Sequence, residues 1–201
     1  MKNWEDYLLT NGTLKNKLGI TDAEKLHTIE YNFSAIQQKF IRQNDYVLPD
    51  GYQLTGKDVG ELRKINAVLL GDIYDWAGHY REVDFSKTTG NQVTHFHPVM
   101  LFGNAEWDIQ RQLTAFVSVA ADKDIVAAAL GELVTEMNMF HPFREGNGRT
   151  LRVFTEVLAR EKGFQLDFTQ EHQEAYMAAS IADDAKLMAG VFQQILHAKA
   201  N

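Results

Sequence analysis

Apolar residues recur every three or four positions along most of the chain, which is the period of an amphipathic helix. Only three prolines occur in 201 residues, so long helices are compatible with the sequence. We therefore expect a mostly helical protein. The pattern predicts helices over residues 23–42, 57–75, 98–119, 123–140, 148–162, 171–180 and 187–197.

The ends of several predicted helices carry residues that commonly cap them. Asp22 precedes the first helix, Thr169 the sixth and Asp183 the seventh, and each can accept a hydrogen bond from a free helical N–H. Gly78 and Gly163 follow the second and the fifth helix, where glycine is the usual stop. The first helix is expected to bury the stripe formed by Leu26, Ile29, Phe33, Ile36 and Phe40.

Residues 81–97 break this pattern, because Val83 and Phe85 alternate with polar neighbours. Residues 87–91 have the composition of a turn and 93–96 can return as a second strand, so the stretch predicts a β-hairpin. A lone hairpin is marginally stable and must lie against the helical body. It is either a simple connection or an open strand edge that pairs with an extended segment of a partner.

Composition narrows the class of protein. A hydrophobic fraction of 45% and a length of 201 residues fit one globular domain, and the absence of cysteine excludes disulfides and thiolate metal sites. The net charge is −7 without a basic cluster, so we expect no direct contact with nucleic acid. No apolar run is long enough for a membrane span and the first ten residues include Glu5 and Asp6, so we expect a cytoplasmic protein.

The stretch HPFREGNGRTLR, residues 141–152, concentrates chemically active side chains. Pro142, Gly146 and Gly148 prevent one continuous helix, so the chain must turn here. The turn ends at the N-terminus of the next helix, where backbone N–H groups lack partners and the helix dipole is positive. Such a terminus binds anions.

Arg149 and Arg152 are spaced i, i+3 and lie on one face of that next helix. Cations at the positive end of a helix are disfavoured unless they meet a polyanion, and guanidinium pairs with phosphate in a bidentate fork. We therefore interpret the loop as a site for the phosphate chain of a nucleotide.

Three further side chains add chemistry to this loop. Glu145 is suited to bind Mg²⁺ beside phosphates, and Asn147 can contact phosphate oxygens or cap the helix. His141 has the pKa to accept a hydroxyl proton near neutral pH. Each residue alone has a structural explanation, but all of them in one loop would require several coincidences.

Two metal-binding alternatives are weaker. His141 and Glu145 have the i, i+4 spacing of a metal pair, but the neighbouring proline and glycine argue against the regular helix that this pair needs. His95 and His97 alternate on the hairpin, yet no third ligand is evident.

Residues 141–152 resemble the motif of the Fic family, His-x-Phe-x-(Asp/Glu)-Gly-Asn-(Gly/Lys)-Arg-x-x-Arg, and match it at every defined position. Residues 71–78, 81–84 and 14–20 are also similar to Fic segments. The resemblance implies an all-α fold, a helical bundle with one small β-hairpin flap. It implies a single Fic domain over residues 1–201, with a core of about 57–198 and an N-terminal helical extension of about 1–45.

The resemblance also implies an activity, the transfer of AMP from ATP to a hydroxyl side chain of a target protein. His141 would deprotonate the target hydroxyl, and Glu145 would hold Mg²⁺. Backbone amides would contact the α-phosphate, the two arginines the β- and γ-phosphates, and Tyr176 the adenine. The implied nucleotide-binding residues are Gly146, Asn147, Gly148, Arg149, Arg152, Lys87, Thr88 and Tyr176. The implied target-docking residues of the flap are Thr89, Gly90, Asn91 and Val93.

Gly148 bears on the type of group that is transferred. In the branch of the family that phosphorylates its targets, a lysine stands at that position and the loop is altered, so the resemblance favours AMP transfer. Transfer of UMP or phosphocholine is also found in the family, and the loop alone leaves those donors open.

An inhibitory motif found in many Fic proteins, (Ser/Thr)-x-x-x-Glu-(Gly/Asn), is absent from this sequence. Ser180 followed by Asp184 is a poor match. The resemblance therefore favours the toxin of a toxin–antitoxin pair, restrained by a small antitoxin that supplies a glutamate to Arg152. Its target, bearing an acceptor Tyr, Ser or Thr, would be a type II topoisomerase subunit.

Three other functions stay open at this point. One is the Fic domain of a secreted effector that acts on GTPases in a host cytosol. The others are a non-catalytic module that binds a nucleotide or a protein, and a metal-dependent hydrolase.

Overall fold

The computed structural model of the chain describes residues 3–90 and 92–199, and within them it contains seven α-helices and four short strands. Short 3₁₀ helices cover Trp4–Tyr7 and Val99–Leu101. The α-helices are α1 (Ala23–Gln43), α2 (Glu61–Leu70), α3 (Phe102–Val117), α4 (Lys123–Phe140), α5 (Asn147–Glu161), α6 (Gln170–Ala182) and α7 (Ala185–Ile195). The strands are β1 (Ser86–Thr89), β2 (Gln92–His95), β3 (Phe164–Leu166) and β4 (Leu196–Ala198).

The mostly helical fold with a small hairpin confirms the sequence-based expectation. The predicted caps at Asp22 and Thr169 are present, since each side chain accepts a hydrogen bond from the first turn of its helix. The cap of α7 was predicted one residue too early. Asp183 is left-handed, with φ 52°, and ends α6, whereas the Asp184 carboxylate accepts from the first amides of α7. No helix in the described ranges is long and apolar enough to cross a membrane.

The buried face of α1 differs from the predicted stripe. Ile36 is 65% exposed and Phe40 is 39% exposed, so the predicted burial of both is wrong. Glu30 and Ser34 are buried in their place. The helix is rotated because these two polar side chains have bonding partners inside the protein, which apolar periodicity cannot reveal.

Helix α2 is shorter than predicted, since it ends at Leu70 and residues 71–78 continue as turns. The N-terminal segment binds the carbonyls of these turns. The backbone N–H of Lys17 donates to Ile73 O at 2.8 Å, and its Nζ donates to Gly71 O at 2.7 Å. The bonds fix the N-terminal segment against the end of α2.

The predicted hairpin is confirmed, with Ser86 opposite His95 and Thr89 opposite Gln92. This register makes residues 87–89 part of β1, so the prediction that they form the turn is wrong. Gly90 follows β1, and Asn91 lies outside the described residues.

A second antiparallel pair joins β3 to β4, with Phe164 opposite Ala198. This pair was not predicted from the sequence, and residues 196 and 197 were expected to be helical. These short strands lie far apart in the chain and show no period of their own, so only the fold brings them together.

Helices α4 and α7 pack closely at the centre of the core. A Cβ built on Gly131 of α4 would lie 2.6 Å from Ala185 O and 2.8 Å from Ala189 Cβ, both in α7. Glycine is therefore required at this crossing, because even one methyl group would push the helices apart. A Cβ on Gly190, which is in α7, meets nothing within 4 Å.

We expect Gly131→Ala to lower the free energy of unfolding by about 1–3 kcal/mol, since the added methyl overpacks the crossing. The matched change Gly190→Ala should leave stability unchanged or raise it by up to about 1 kcal/mol through higher helix propensity. Urea unfolding of both variants measures this. Equal stabilities would contradict the close approach of α4 and α7.

Candidate active site

The loop between α4 and α5 is shaped by two left-handed residues. His141 ends α4 with φ 42°, and Gly146 precedes α5 with φ 78°. The side chain of Asn147 closes the loop, because its Oδ1 accepts from Phe143 N at 2.8 Å and its Nδ2 donates to Phe143 O at 2.7 Å. The turn thus presents the start of α5, whose first backbone amides have no intrahelical acceptors.

Only a glycine fits at position 146. A Cβ there would lie 2.7 Å from Leu70 Cδ1 and 3.1 Å from Asn66 Nδ2, in addition to the strain of the positive φ. Asn66 is fully buried in α2 and donates to Glu145 O at 3.1 Å and to Thr150 Oγ1 at 3.2 Å. Asn66 therefore anchors the loop to α2, a role that sequence reasoning missed. By contrast, Gly148 has open space around its Cα.

The imidazole of His141 is held by the backbone and by aromatic rings. Its Nδ1 lies 3.2 Å from Asn138 O, so Nδ1 carries the hydrogen and Nε2 is the free acceptor. Its ring stacks on Phe96, with centroids 3.7 Å apart, and lies 5.7 Å from the ring of Phe85.

Burial lowers the pKa of His141 to about 3, against the opposing effect of the Asn138 carbonyl. The charges of Arg81 and Lys87 lower it further. At neutral pH the side chain is therefore neutral rather than cationic, and its pKa lies well below the near-neutral value that the sequence predicted for a base at this position.

Arg81 connects this loop to the hairpin. Its guanidinium is 1% exposed and donates to His141 O at 2.9 Å, Val83 O at 2.7 Å and His97 O at 2.6 Å. Its backbone N–H donates to Pro142 O at 2.7 Å. Sequence reasoning noted residues 81–84 only as a family-like segment and gave Arg81 no role.

The two arginines of α5 have different surroundings. Arg149 Nη1 donates to Ser34 Oγ at 2.8 Å, and Nη2 donates to the Glu30 carboxylate. The Arg152 guanidinium lies over the Phe168 ring, 4.6 Å from its centroid. Within residues 3–90 and 92–199, Arg152 forms no ion pair with a carboxylate. Phosphate binding by both arginines stays a prediction.

Glu145 remains the candidate for a metal ligand. Arg144 Nη1 lies 2.5 Å from Glu145 Oε1, and the Arg144 guanidinium stacks 4.3 Å from the Trp4 ring. Burial raises the pKa of Glu145 and the charge of Glu30 adds to this, while Arg144 and Arg149 oppose it. Among the described residues, the ion pair of Glu145 is formed by Oε1.

No cluster of three or more metal-binding side chains occurs among the residues that the structure describes. This is compatible with Mg²⁺ bound by one carboxylate and by substrate phosphates. His97 of the alternative His95–His97 pair instead contacts Glu136 Oε1 at 3.0 Å.

The remaining predicted residues lie on the hairpin and on α6. Lys87, Thr88, Thr89 and Gly90 are exposed, and Val93 is 50% exposed. In the described part of the chain the hairpin is a two-stranded sheet, so one backbone edge of each strand is unpaired.

Tyr176 is buried, with its ring between those of Phe168 at 5.8 Å and Phe192 at 6.3 Å. Burial raises the pKa of Tyr176 to about 12, and the charge of Arg152 opposes the rise. The residue therefore lies near Arg152, but its contact with adenine stays a prediction.

The fold and the site define a helical domain in which a glycine-rich loop presents a neutral histidine and a helix N-terminus beside two arginines. A profile of the Fic/DOC family matches residues 57–159, and the chain belongs to this family. It is 33% identical over 172 residues to the protein adenylyltransferase VbhT of Bartonella schoenbuchensis, covering 85% of this chain and 34% of that protein. A relative in Escherichia coli K12, named "Probable protein adenylyltransferase Fic", is 30% identical, with coverages of 83% and 78%.

Solved structures agree with this assignment. The N-terminal Fic domain of a VirB-translocated Bep effector protein from Bartonella quintana, crystallised with bound ADP, is 26% identical. It superposes with a TM-score of 0.82 over 97% of this chain and 96% of that one. The chain spans about a third of the length of VbhT and of a second relative, from Bartonella henselae.

The half-buried, neutral His141 makes stability depend on pH. The pKa of His141 is about 3 in the folded state and 6.5 in the ordinary, unfolded state. Between these pH values the unfolded state binds a proton that the folded state does not bind. The free energy of unfolding therefore falls as the pH falls below 6.5. We expect His141→Ala to remove up to about 1.4 kcal/mol per pH unit of this dependence. Urea unfolding at several pH values from about 7 to 5 measures it. The exposed His27→Ala is the control, and identical slopes for parent and His141→Ala would contradict the burial argument.

We expect Arg81→Ala to cost about 3 kcal/mol or more of folding free energy, because buried carbonyls lose their shared donor. Arg63→Ala is a matched control, since exposed Arg63 donates one such bond, to Gly78 O at 3.1 Å. The control should cost about 1 kcal/mol or less. Thermal unfolding measures the stability of both variants. A loss of stability for Arg81→Ala no larger than that for Arg63→Ala would contradict the role of Arg81 in connecting the loop to the hairpin.

Proposed function

We propose that this chain is a protein adenylyltransferase that transfers AMP from ATP to a hydroxyl side chain of a target protein. The observation that carries the proposal is the placement of the neutral His141 between the hairpin and the start of α5. The names of the relatives and the ADP bound to the Bartonella quintana domain support it.

His141 has the role of general base in this proposal. Its Nε2 takes the proton of the target hydroxyl while the hydroxyl oxygen bonds to the α-phosphorus of ATP. The bond from the α-phosphorus to the bridging oxygen breaks, and pyrophosphate leaves. Because Nδ1–H is directed to Asn138 O, the acceptor Nε2 is fixed in one tautomer.

The phosphate chain is bound by the start of α5 and its arginines. The backbone N–H groups of Gly146, Asn147 and Gly148 contact the α-phosphate, where negative charge is stabilised by the helix N-terminus. Arg149 and Arg152 contact the β- and γ-phosphates. Glu145 would hold Mg²⁺, and the ion would supply positive charge that offsets the charge of the phosphates.

The hairpin is the docking site for the target. An extended target segment pairs with its open backbone edge at Thr89, Gly90, Asn91 and Val93, which places the acceptor hydroxyl near His141. Lys87 and Thr88 face the nucleotide, and the effect of Lys87 on the pKa of His141 supports this proximity.

We further propose that the chain is the toxin of a toxin–antitoxin pair in the cytoplasm, acting on a type II topoisomerase subunit. A small antitoxin would supply a glutamate to Arg152. The lack of a carboxylate partner for Arg152 in the described residues supports this, together with the missing inhibitory motif. Growth arrest on expression, relieved by His141→Ala, is the expected phenotype.

A second candidate is the Fic domain of an effector delivered to a host cytosol. The similarity to a translocated effector domain and the partial coverage of VbhT favour it. Labelling of host-cell but not bacterial proteins would select this candidate.

The transferase proposal is tested by incubating the protein with cell lysate and ATP radiolabelled at the α-phosphate. We expect a labelled protein with the parent chain and a loss of at least about 100-fold with His141→Ala, since general base catalysis contributes 10²–10⁴-fold. ATP labelled at the γ-phosphate is the parallel control, because AMP transfer leaves that label in pyrophosphate. Mass spectrometry of the labelled protein identifies the transferred group and the acceptor residue.

Three outcomes would contradict the proposal. Labelling that persists in His141→Ala would exclude His141 as the base. ATP binding without any labelled product would favour a non-catalytic binding module. Hydrolysis of small phosphoesters without a protein acceptor would favour a hydrolase.

A further inference from the structure

Helix α1 carries a buried carboxylate that reaches the candidate site. Glu30 is 6% exposed, and its Oε1 accepts from Arg149 Nη2 while its Oε2 accepts from the Tyr74 hydroxyl. Both oxygens therefore have strong donors. The carboxylate thereby forms a bridge between α1, the turns after α2 and the first turn of α5.

Ser34 adds a second contact from the same face of α1. It lies one turn after Glu30, is fully buried, and accepts from Arg149 Nη1 at 2.8 Å. The Ser34 hydroxyl donates its own hydrogen to Tyr31 O at 3.0 Å, so its oxygen acts as the acceptor toward the arginine. Two acceptors four residues apart thus hold the two terminal nitrogens of one guanidinium.

This arrangement fixes the orientation of Arg149 without using all of its donors. A guanidinium has five N–H groups in a rigid plane, and the two bonds to α1 use one on each terminal nitrogen. The other N–H groups remain for a ligand. Since the plane is held at two points, it cannot rotate without losing a bond.

The contact between Glu30 and Arg149 does not by itself prevent a nucleotide from binding to Arg149. Separating Arg149 from Glu30 would leave a buried carboxylate without its cation, which is strongly unfavourable. A phosphate chain that approaches Arg149 therefore meets an arginine that stays bound to α1.

We infer that Glu30 is a positioning residue for the phosphate site: with Ser34 it holds the Arg149 guanidinium in the orientation in which its remaining N–H groups meet the phosphates of ATP. The inference rests on the proposed function. It makes α1, which lies outside the matched segment 57–159, part of the nucleotide site.

The first test is ATP affinity by calorimetry for Glu30→Gln, which keeps the shape of the side chain and removes its charge. We expect affinity to fall about tenfold, because a charge-assisted bond that orients Arg149 is lost. Glu24→Gln, an exposed position on the same helix, is the matched control and should bind like the parent. Unchanged or tighter binding by Glu30→Gln would overturn the inference.

A double-mutant cycle separates positioning from a general loss of structure. In an Arg149→Ala background, Glu30→Gln should cause no further loss of ATP affinity, whereas additive losses would contradict coupling through Arg149. If Glu30→Gln does not fold, Ser34→Ala removes the second anchor alone and should weaken binding about threefold. Full affinity of Ser34→Ala would then overturn the inference.

NMR relaxation of the Arg149 side-chain N–H, without nucleotide, gives a readout that is independent of catalysis. We expect an ordered guanidinium in the parent and a mobile one in Glu30→Gln, and equal mobility would count against positioning. If the parent binds ATP but labels no target, the proposed function fails while this inference stands. If the parent labels a target and Glu30→Gln binds ATP equally well, only the inference fails.

Discussion

The hydrogen bonds of the buried Arg81 guanidinium are the interaction on which the arrangement of the site depends. They join the backbone carbonyl of His141, the candidate base, to the backbone carbonyls of Val83 and His97, which lie before and after the hairpin. A buried charge is tolerated only while its donors are satisfied, so the loop and the hairpin base must keep their relative position. Phe96, which stacks on His141, lies between two of these anchor points and is held with them. The exposed strands of the hairpin extend from this fixed base.

Most charged side chains around the loop form ion pairs, and this determines the electrostatic potential of the site. Arg144 is bound to Glu145 and Arg149 to Glu30, so each cation is offset by a carboxylate. Positive potential at the loop comes from the N-terminus of α5, from Arg152, and from Arg81 and Lys87, whose charges lower the pKa of His141. The loop therefore carries positive groups in a chain whose net charge is −7. A carboxylate brought to Arg152 would offset one of these charges.

The sequence predicted what is local along the chain and missed what depends on distant partners. The end of one helix, the start of the next and the loop between them could be predicted, because Pro142, Gly146 and Gly148 lie within one short segment. Arg81 and Asn66 were missed as anchors, since their bonds to the loop span 60 and 79 residues of sequence. Neither residue type nor period indicates where such a donor finds its acceptor. The β3–β4 pair was missed for the same reason.

Helix α1 shows how a failed pattern can itself be informative. The apolar stripe continues on the sequence to Ile36 and Phe40, but the structure exposes both and buries Glu30 and Ser34 instead. Apolar burial alone would favour the opposite rotation, because full burial of such a side chain contributes about 1.5–3 kcal/mol and part of this is lost at each residue. Bonds to Arg149 and Tyr74 are what satisfy the buried polar pair and offset that loss. Helix α1 thus contributes buried polar side chains that bind an arginine of α5, and it is joined to the loop region through these bonds.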